Sequence, residues 1–168
     1  MAVLRISNLS KSYGSVQAVR DLTFEVQPGE VMGLLGPNGS GKTTTLGMVL
    51  GAIRPDQGSF LWFESGSGHK ERNKIGSILE SPNFYPYLSA KDNLKIFCRI
   101  KRSSFDEIPE LLNMVGLHSR MNSPVRTFSL GMKQRLALAA ALVGDPEVLV
   151  LDEPANGLDP QGIAEVRT

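Results

Sequence analysis

Cysteine is almost missing from this chain: Cys98 is the only one, so neither an internal disulfide nor a cysteine metal cluster can form. Such sparing use suits a reducing compartment. Long apolar runs are missing as well. The longest, from Leu136 to Val143, falls far short of the ~20 residues that span a bilayer. The opening MAVLRISNLS has neither the basic leader nor the apolar stretch of a secretory signal. Any service to a membrane is therefore expected to run through a partner. An excess of one charge is lacking too. The formal net charge is +1, and no nucleic-acid partner is expected. There is no internal repeat and no low-complexity tract. What remains is 168 residues, 41% hydrophobic and 21% charged, enough for one domain with its own core.

The opening third reads as short strands, VLRISNL, LTFEV and VMGLLG. Turns at Tyr13-Gly14-Ser15 and Pro28-Gly29-Glu30 separate them. Val31 to Leu35 is continuously apolar, which predicts a strand covered on both faces. A glycine-rich turn follows, and TTTLGMVLGA then predicts a helix ending near Gly51. SFLWF and IGSIL predict two further strands. From Ser89 to about Val143 the apolar spacing turns helical: Leu94, Ile96 and Phe97; Ile108, Leu111, Leu112 and Val115; Met132, Leu136, Ala139 and Ala140. Ser89 is expected to cap one of these helices and Asp106 to begin another near Pro109. A last buried strand, Val148 to Leu151, ends in two carboxylates. The pattern predicts an α/β core interrupted by a helical insertion.

Chemistry concentrates in three places. Gly36-Pro37-Asn38-Gly39-Ser40-Gly41-Lys42-Thr43 matches G-x-x-x-x-G-K-[ST] in full. Its glycines let main-chain N–H groups wrap a phosphate, and the helix that begins there offers further donors through Thr44. Lys42 suits the terminal phosphates, and the Thr43 hydroxyl suits Mg²⁺. In the second place, Asp152 and Glu153 close the last strand. Beside a phosphate site, Asp152 would serve the metal and Glu153 would polarise an attacking water. The third is Ser129-Leu130-Gly131-Met132-Lys133-Gln134-Arg135, at the start of a helix.

Together these elements resemble the ABC-type ATPases, in the signature form of drug- and peptide-export members. The resemblance implies a P-loop α/β fold with N-terminal antiparallel strands and a helical subdomain. It also implies a motor subunit that binds and hydrolyses ATP with Mg²⁺. By this resemblance Ser129 and Gly131 face the γ-phosphate held by a second subunit, in a head-to-tail dimer. Tyr13 takes the place of the aromatic that stacks on adenine, and Val19 lines the base pocket. Asn156 to Pro160 looks like the loop that communicates across the dimer. The family's membrane-spanning subunits would be partners at the cytoplasmic face of the membrane. Phe84, Tyr85, Tyr87 and Leu88 are candidates for that docking surface, with at least two of them expected to pack internally. One domain is expected, with residues 1–80 and 144–168 as the nucleotide-binding core and 81–143 as the helical signature region.

Two departures from the family pattern stand out. Glu80 replaces the usual glutamine, and IGSILESPNFYP is similar to the variant loop of lantibiotic- and bacitracin-exporter ATPases. Glu80 is expected to sense metal and nucleotide. The family also continues past residue 160 with another strand and a switch histidine, for which neither His69 nor His118 stands in position. Both histidines are expected at the surface. The sequence therefore predicts a C-terminally incomplete domain with reduced stability and little sustained turnover, or a nucleotide-binding fragment. A soluble ABC protein of chromosome maintenance is disfavoured, because no long coiled coil fits between Lys42 and Ser129. A translation-type protein normally carries two such domains.

Overall fold

The computed structural model describes residues 1–66, 68–79 and 83–154. The chain divides into two compact units, Met1–Arg72 and Asn73–Thr168. The first is built on an antiparallel sheet of order β2-β1-β3, with β1 Leu4–Tyr13, β2 Val16–Val26 and β3 Gln57–Trp62. Leu4, Ile6 and Leu9 are buried, and the step from two to three residues marks a slip in register. At that slip Asn8 and Asp21 take left-handed φ values of 50° and 47°, and Asn8 Nδ2 donates to Asp21 Oδ1 at 2.6 Å. Short polar side chains tolerate that conformation best among non-glycine residues, and the bulge turns Leu9 back to the core side.

Helix α1, Lys42–Val49, is tied to this sheet by tryptophan. Trp62 is 1% exposed, and its indole N–H donates to the Val49 carbonyl at 2.8 Å. That bond satisfies one of the carbonyls a helix leaves unpaired in its last turn. A short helix α2, His69–Arg72, ends the unit.

The expected strand at Val31 to Leu35 is not formed. Val31 is 99% and Leu35 95% exposed, and among the described residues no strand pairs with this segment. A fully apolar strand needs a hydrogen-bonded neighbour and cover on both faces. An apolar run supplies the propensity for a strand and neither of those.

In the second unit β4, Ile75–Ile78, and β5, Val148–Leu151, pair in parallel, from Ile75 opposite Val148 to Ile78 opposite Leu151. Three longer helices, α3 Ala90–Lys101, α4 Ile108–Met114 and α5 Leu130–Leu142, enclose a cluster that includes Leu94, Ile108, Leu112, Leu136 and Val143. Helix α5 also lies close on β4. A Cβ at Gly76 would stand 2.0 Å from the Ala141 carbonyl oxygen, so only glycine admits the helix at this distance. No described helix is long and apolar enough to cross a membrane.

Serines start these helices. Ser89 accepts from the Asp92 amide at 3.0 Å, as expected. Asp106 does not begin the next helix: Ser104 accepts from the Asp106 amide at 3.1 Å and opens a 3-10 turn, Phe105–Glu107, that runs into α4. A serine hydroxyl two residues earlier already satisfies the first amide. Gly116 ends α4 with φ 66°, and His118 beyond it is exposed.

The aromatic stretch before α3 is organised by one amide. Asn93 is buried; its Oδ1 accepts from the Tyr85 amide at 2.9 Å, and its Nδ2 donates to the carbonyls of Tyr85 at 3.1 Å and Ser89 at 3.0 Å. Phe84 alone turns inward, edge-on to Phe97 with ring centres 6.1 Å apart. The expectation that at least two of the four candidates pack internally is corrected, since Tyr85, Tyr87 and Leu88 are exposed. The Tyr85 peptide is pinned through its backbone, which frees its side chain from a packing role. Substituting Asn93→Ala leaves partly buried backbone groups unpaired and is expected to lower unfolding free energy by about 1–3 kcal/mol. A urea titration with an unshifted midpoint would contradict this account of the stretch.

Candidate functional site

The first unit holds the loop of residues 36–44. It curls through a turn in which the Ser40 amide donates to the Pro37 carbonyl at 3.2 Å. Gly39 and Gly41 take φ values of 82° and 89°, which L side chains rarely adopt. Gly41 is the N-cap of α1, with no side chain to bond the first amides and no acidic residue in the first turn. A Cβ there would stand 2.1 Å from the Ala18 carbonyl oxygen and 3.1 Å from Val19 Cγ2. The loop is thus pressed against β2 at the valine expected to line a base pocket. At Gly36 a Cβ would come within 2.5 Å of Ser40 Oγ. A side chain at Gly36 would crowd Ser40 across the curl, and one at Gly41 would collide with β2.

Lys42, the first residue of α1, folds back over this curl. Its Nζ donates to the Gly36 carbonyl at 2.8 Å and the Pro37 carbonyl at 3.0 Å. Thr43 is exposed on the first turn, while Thr45 turns inward and its hydroxyl donates to the Gly41 carbonyl at 2.9 Å. The positive end of the helix dipole and an ammonium group therefore converge on one backbone concavity. Asn38 and Thr44 complete the loop, exposed and half-buried respectively. Tyr13 ends β1 and is 50% exposed, on the same hairpin as buried Val19.

In the second unit the two carboxylates part company. Asp152 is 7% exposed, and its amide donates to the Ile78 carbonyl at 2.8 Å, extending the parallel ladder beyond β5. Glu153 follows with φ 47° and is exposed. The left-handed turn sends adjacent acids into different surroundings, one buried and one in water. Ser129 caps α5, accepting from the Met132 amide at 3.2 Å, with Gly131 half-buried in the first turn. Gln134, also buried, donates through Nε2 to the Pro154 carbonyl at 3.2 Å. The signature helix is thereby bonded to the residue that follows the acid pair. Gln134 belongs to the signature run, yet nothing in its spacing reveals that partner. Glu80 and residues 156–160 lie outside the described residues.

Among the described residues no three His, Cys, Asp or Glu side chains gather to hold a metal by themselves. Mg²⁺ is ordinarily held by one or two protein oxygens together with substrate phosphates and water. Hydroxyl and carboxylate oxygens of Thr43 and Asp152 fit that chemistry. The sole thiol does not enter it: Cys98 is buried, and burial pushes it above its ordinary range.

The profile of the family described as ABC transporter matches residues 19–156. The bacitracin transport ATP-binding protein BcrA of Bacillus licheniformis is 44% identical over 172 residues, covering 98% of this chain and 55% of the relative. The lantibiotic transport ATP-binding protein SrtF of Streptococcus pyogenes is 43% identical over 165 residues, covering 98% and 72%. The chain thus spans about half the length of several curated relatives it matches, 55% in five cases. A solved structure titled as the ATP binding subunit of an ABC transporter superposes with a TM-score of 0.87 at 31% identity, over 98% of this chain and 71% of that one. With a family profile over residues 19–156 and relatives at 43% and 44% identity, the chain belongs to the ATP-binding domains of the ABC transporter family.

Proposed function

We propose that this chain binds and hydrolyses ATP as the motor of an ABC transporter that exports an antibiotic or peptide. The observation that carries the reading is Lys42 Nζ held on the Gly36 and Pro37 carbonyls at the head of α1. In this reading residues 36–44 cradle the β- and γ-phosphates through their main-chain amides. Lys42 moves from its carbonyls to the terminal phosphate oxygens. Each hydrogen bond to a charged phosphate contributes roughly 1.5–3 kcal/mol, so several converging donors support tight binding. Tyr13 stacks on the adenine and Val19 lines its edge.

Thr43 and Asp152 would hold Mg²⁺ together with phosphate oxygens, and Glu80 is proposed as a further oxygen ligand. Bound there, the metal would neutralise charge that develops on the phosphoryl oxygens. Glu153 orients the attacking water and takes its proton, a role that an exposed carboxylate beside a buried one can fill. Ser129 and Gly131 meet the γ-phosphate of a second copy in a head-to-tail dimer. Residues 81–143 form the helical signature region, and 1–80 with 144–168 the nucleotide core. Tyr85, Tyr87 and Leu88 form a surface for a membrane-spanning subunit at the cytoplasmic face. The cargo class is supported by the bacitracin and lantibiotic transport named in BcrA and SrtF.

Lys42→Ala is expected to weaken ATP binding by at least about tenfold in titration calorimetry and to abolish the rise in melting temperature that ATP produces. Retained protection would remove the phosphate assignment. Glu153→Gln is expected to bind ATP as before while single-turnover hydrolysis falls about 10²- to 10⁴-fold; an unchanged rate would rule it out as the base. Glu80→Ala is expected to raise the Mg²⁺ concentration needed for half-maximal ATP binding, and an unaltered requirement would discard the metal contact.

A further inference from the structure

Lys11 and Tyr13 lie two positions apart on β1, so their side chains leave the same face of the strand. The Lys11 ammonium stands 5.6 Å from the centre of the Tyr13 ring, within the range at which a cation is drawn to an aromatic face. Asp56 fixes it there. One carboxylate oxygen of Asp56 accepts from Lys11 Nζ at 2.7 Å, and the other accepts from the Ser12 amide at 2.7 Å. Asp56 is anchored in turn, because its own amide donates to the Ser10 carbonyl at 2.9 Å just before β3. Across the hairpin Lys11 is registered opposite Val19. The hydrogen bond from Lys11, and then that from the Ser12 amide, hold the Asp56 carboxyl below its ordinary range.

This is more order than an exposed ion pair normally needs. Pairs open to solvent contribute little to stability; here the Lys11 side chain is 17% and the Asp56 side chain 46% exposed. The result of the arrangement is local: the backbone on either side of Ser12 is clamped, and one face of the Tyr13 ring is matched by a cation. Half of the tyrosine's surface stays open.

We propose that Asp56 and Lys11 are positioning residues for the nucleobase, fixing the plane of the Tyr13 ring so that a purine stacks on the face turned away from Lys11. The proposal rests on the stacking role given to Tyr13 above. It adds that the affinity of the base depends on two charged residues that never touch it. A ring held in its bound orientation loses less conformational freedom on binding than a free one. Asp56 also lies on the segment that leads from α1 into β3, so the base platform and the phosphate helix are joined through one short stretch of chain.

The test compares equilibrium binding of ATP and of inorganic tripolyphosphate, which has no base, to the full chain with Mg²⁺ present. Asp56→Asn keeps an oxygen for the Ser12 amide and loses the charge; Lys11→Met keeps the aliphatic stem and loses the ammonium. Each is expected to weaken ATP roughly two- to fivefold and to leave tripolyphosphate unchanged. Tyr13→Ala is expected to weaken ATP roughly tenfold, again without effect on tripolyphosphate, and adding Asp56→Asn to it should cause no further loss. Equal losses for both ligands, additive losses in the double variant, or unchanged ATP binding in both single charge variants would each overturn the positioning role. Unchanged ATP binding in Tyr13→Ala would sink the stacking reading itself, and that result comes from a separate protein.

Discussion

The approach of one backbone to another at residue 41 governs the rest of the nucleotide half. Because Gly41 has no Cβ, the loop can lie against the Ala18 carbonyl with α1 starting where β2 passes. This contact fixes the direction of α1 and hence of its dipole. It sets Lys42 where it can reach the carbonyls at the mouth of the loop, and it brings the phosphate loop to Val19. A methyl group at residue 41 would force at least an ångström of movement on backbone rather than on a flexible side chain.

The second unit solves a different problem, that of starting helices without strain. Ser89, Ser104 and Ser129 each bond an amide in the turn they open, and each does so from an extended backbone conformation. At Ser129 the cap belongs to the signature run, so the hydroxyl that begins α5 is part of that motif. Further along, Gln134 reaches Pro154. Helix start and acid pair are therefore parts of one hydrogen-bonded framework, closed on its other side by the tight seat of α5 over Gly76.

Much of this was legible in the sequence, because local chemistry decides it. The glycine loop, the helix after it, the serine cap at residue 89 and the strand ending in Asp152 and Glu153 are each encoded within a few residues. Failures came where the deciding partner is distant in sequence. Val31 to Leu35 has the composition of a core strand, but strand formation depends on a neighbour that composition does not supply. At least two of Phe84, Tyr85, Tyr87 and Leu88 were expected to pack internally, yet the buried Asn93 amide binds the Tyr85 backbone and three of the four side chains stay outside. Gln134 and Asp56 gave no signal at all, since the group each one bonds lies 20 and 44 positions away.

The indole of Trp62 carries a practical consequence. It is the chain's single tryptophan, enclosed by the first unit and bonded to the last turn of the phosphate helix. Its emission therefore reads one place, the seam between that helix and the sheet, with no second fluorophore of its kind to blur the signal. Any event that lifts the helix from the sheet exposes the ring to water and shifts its light to the red. The protein thus carries its own optical gauge of whether the phosphate helix is seated.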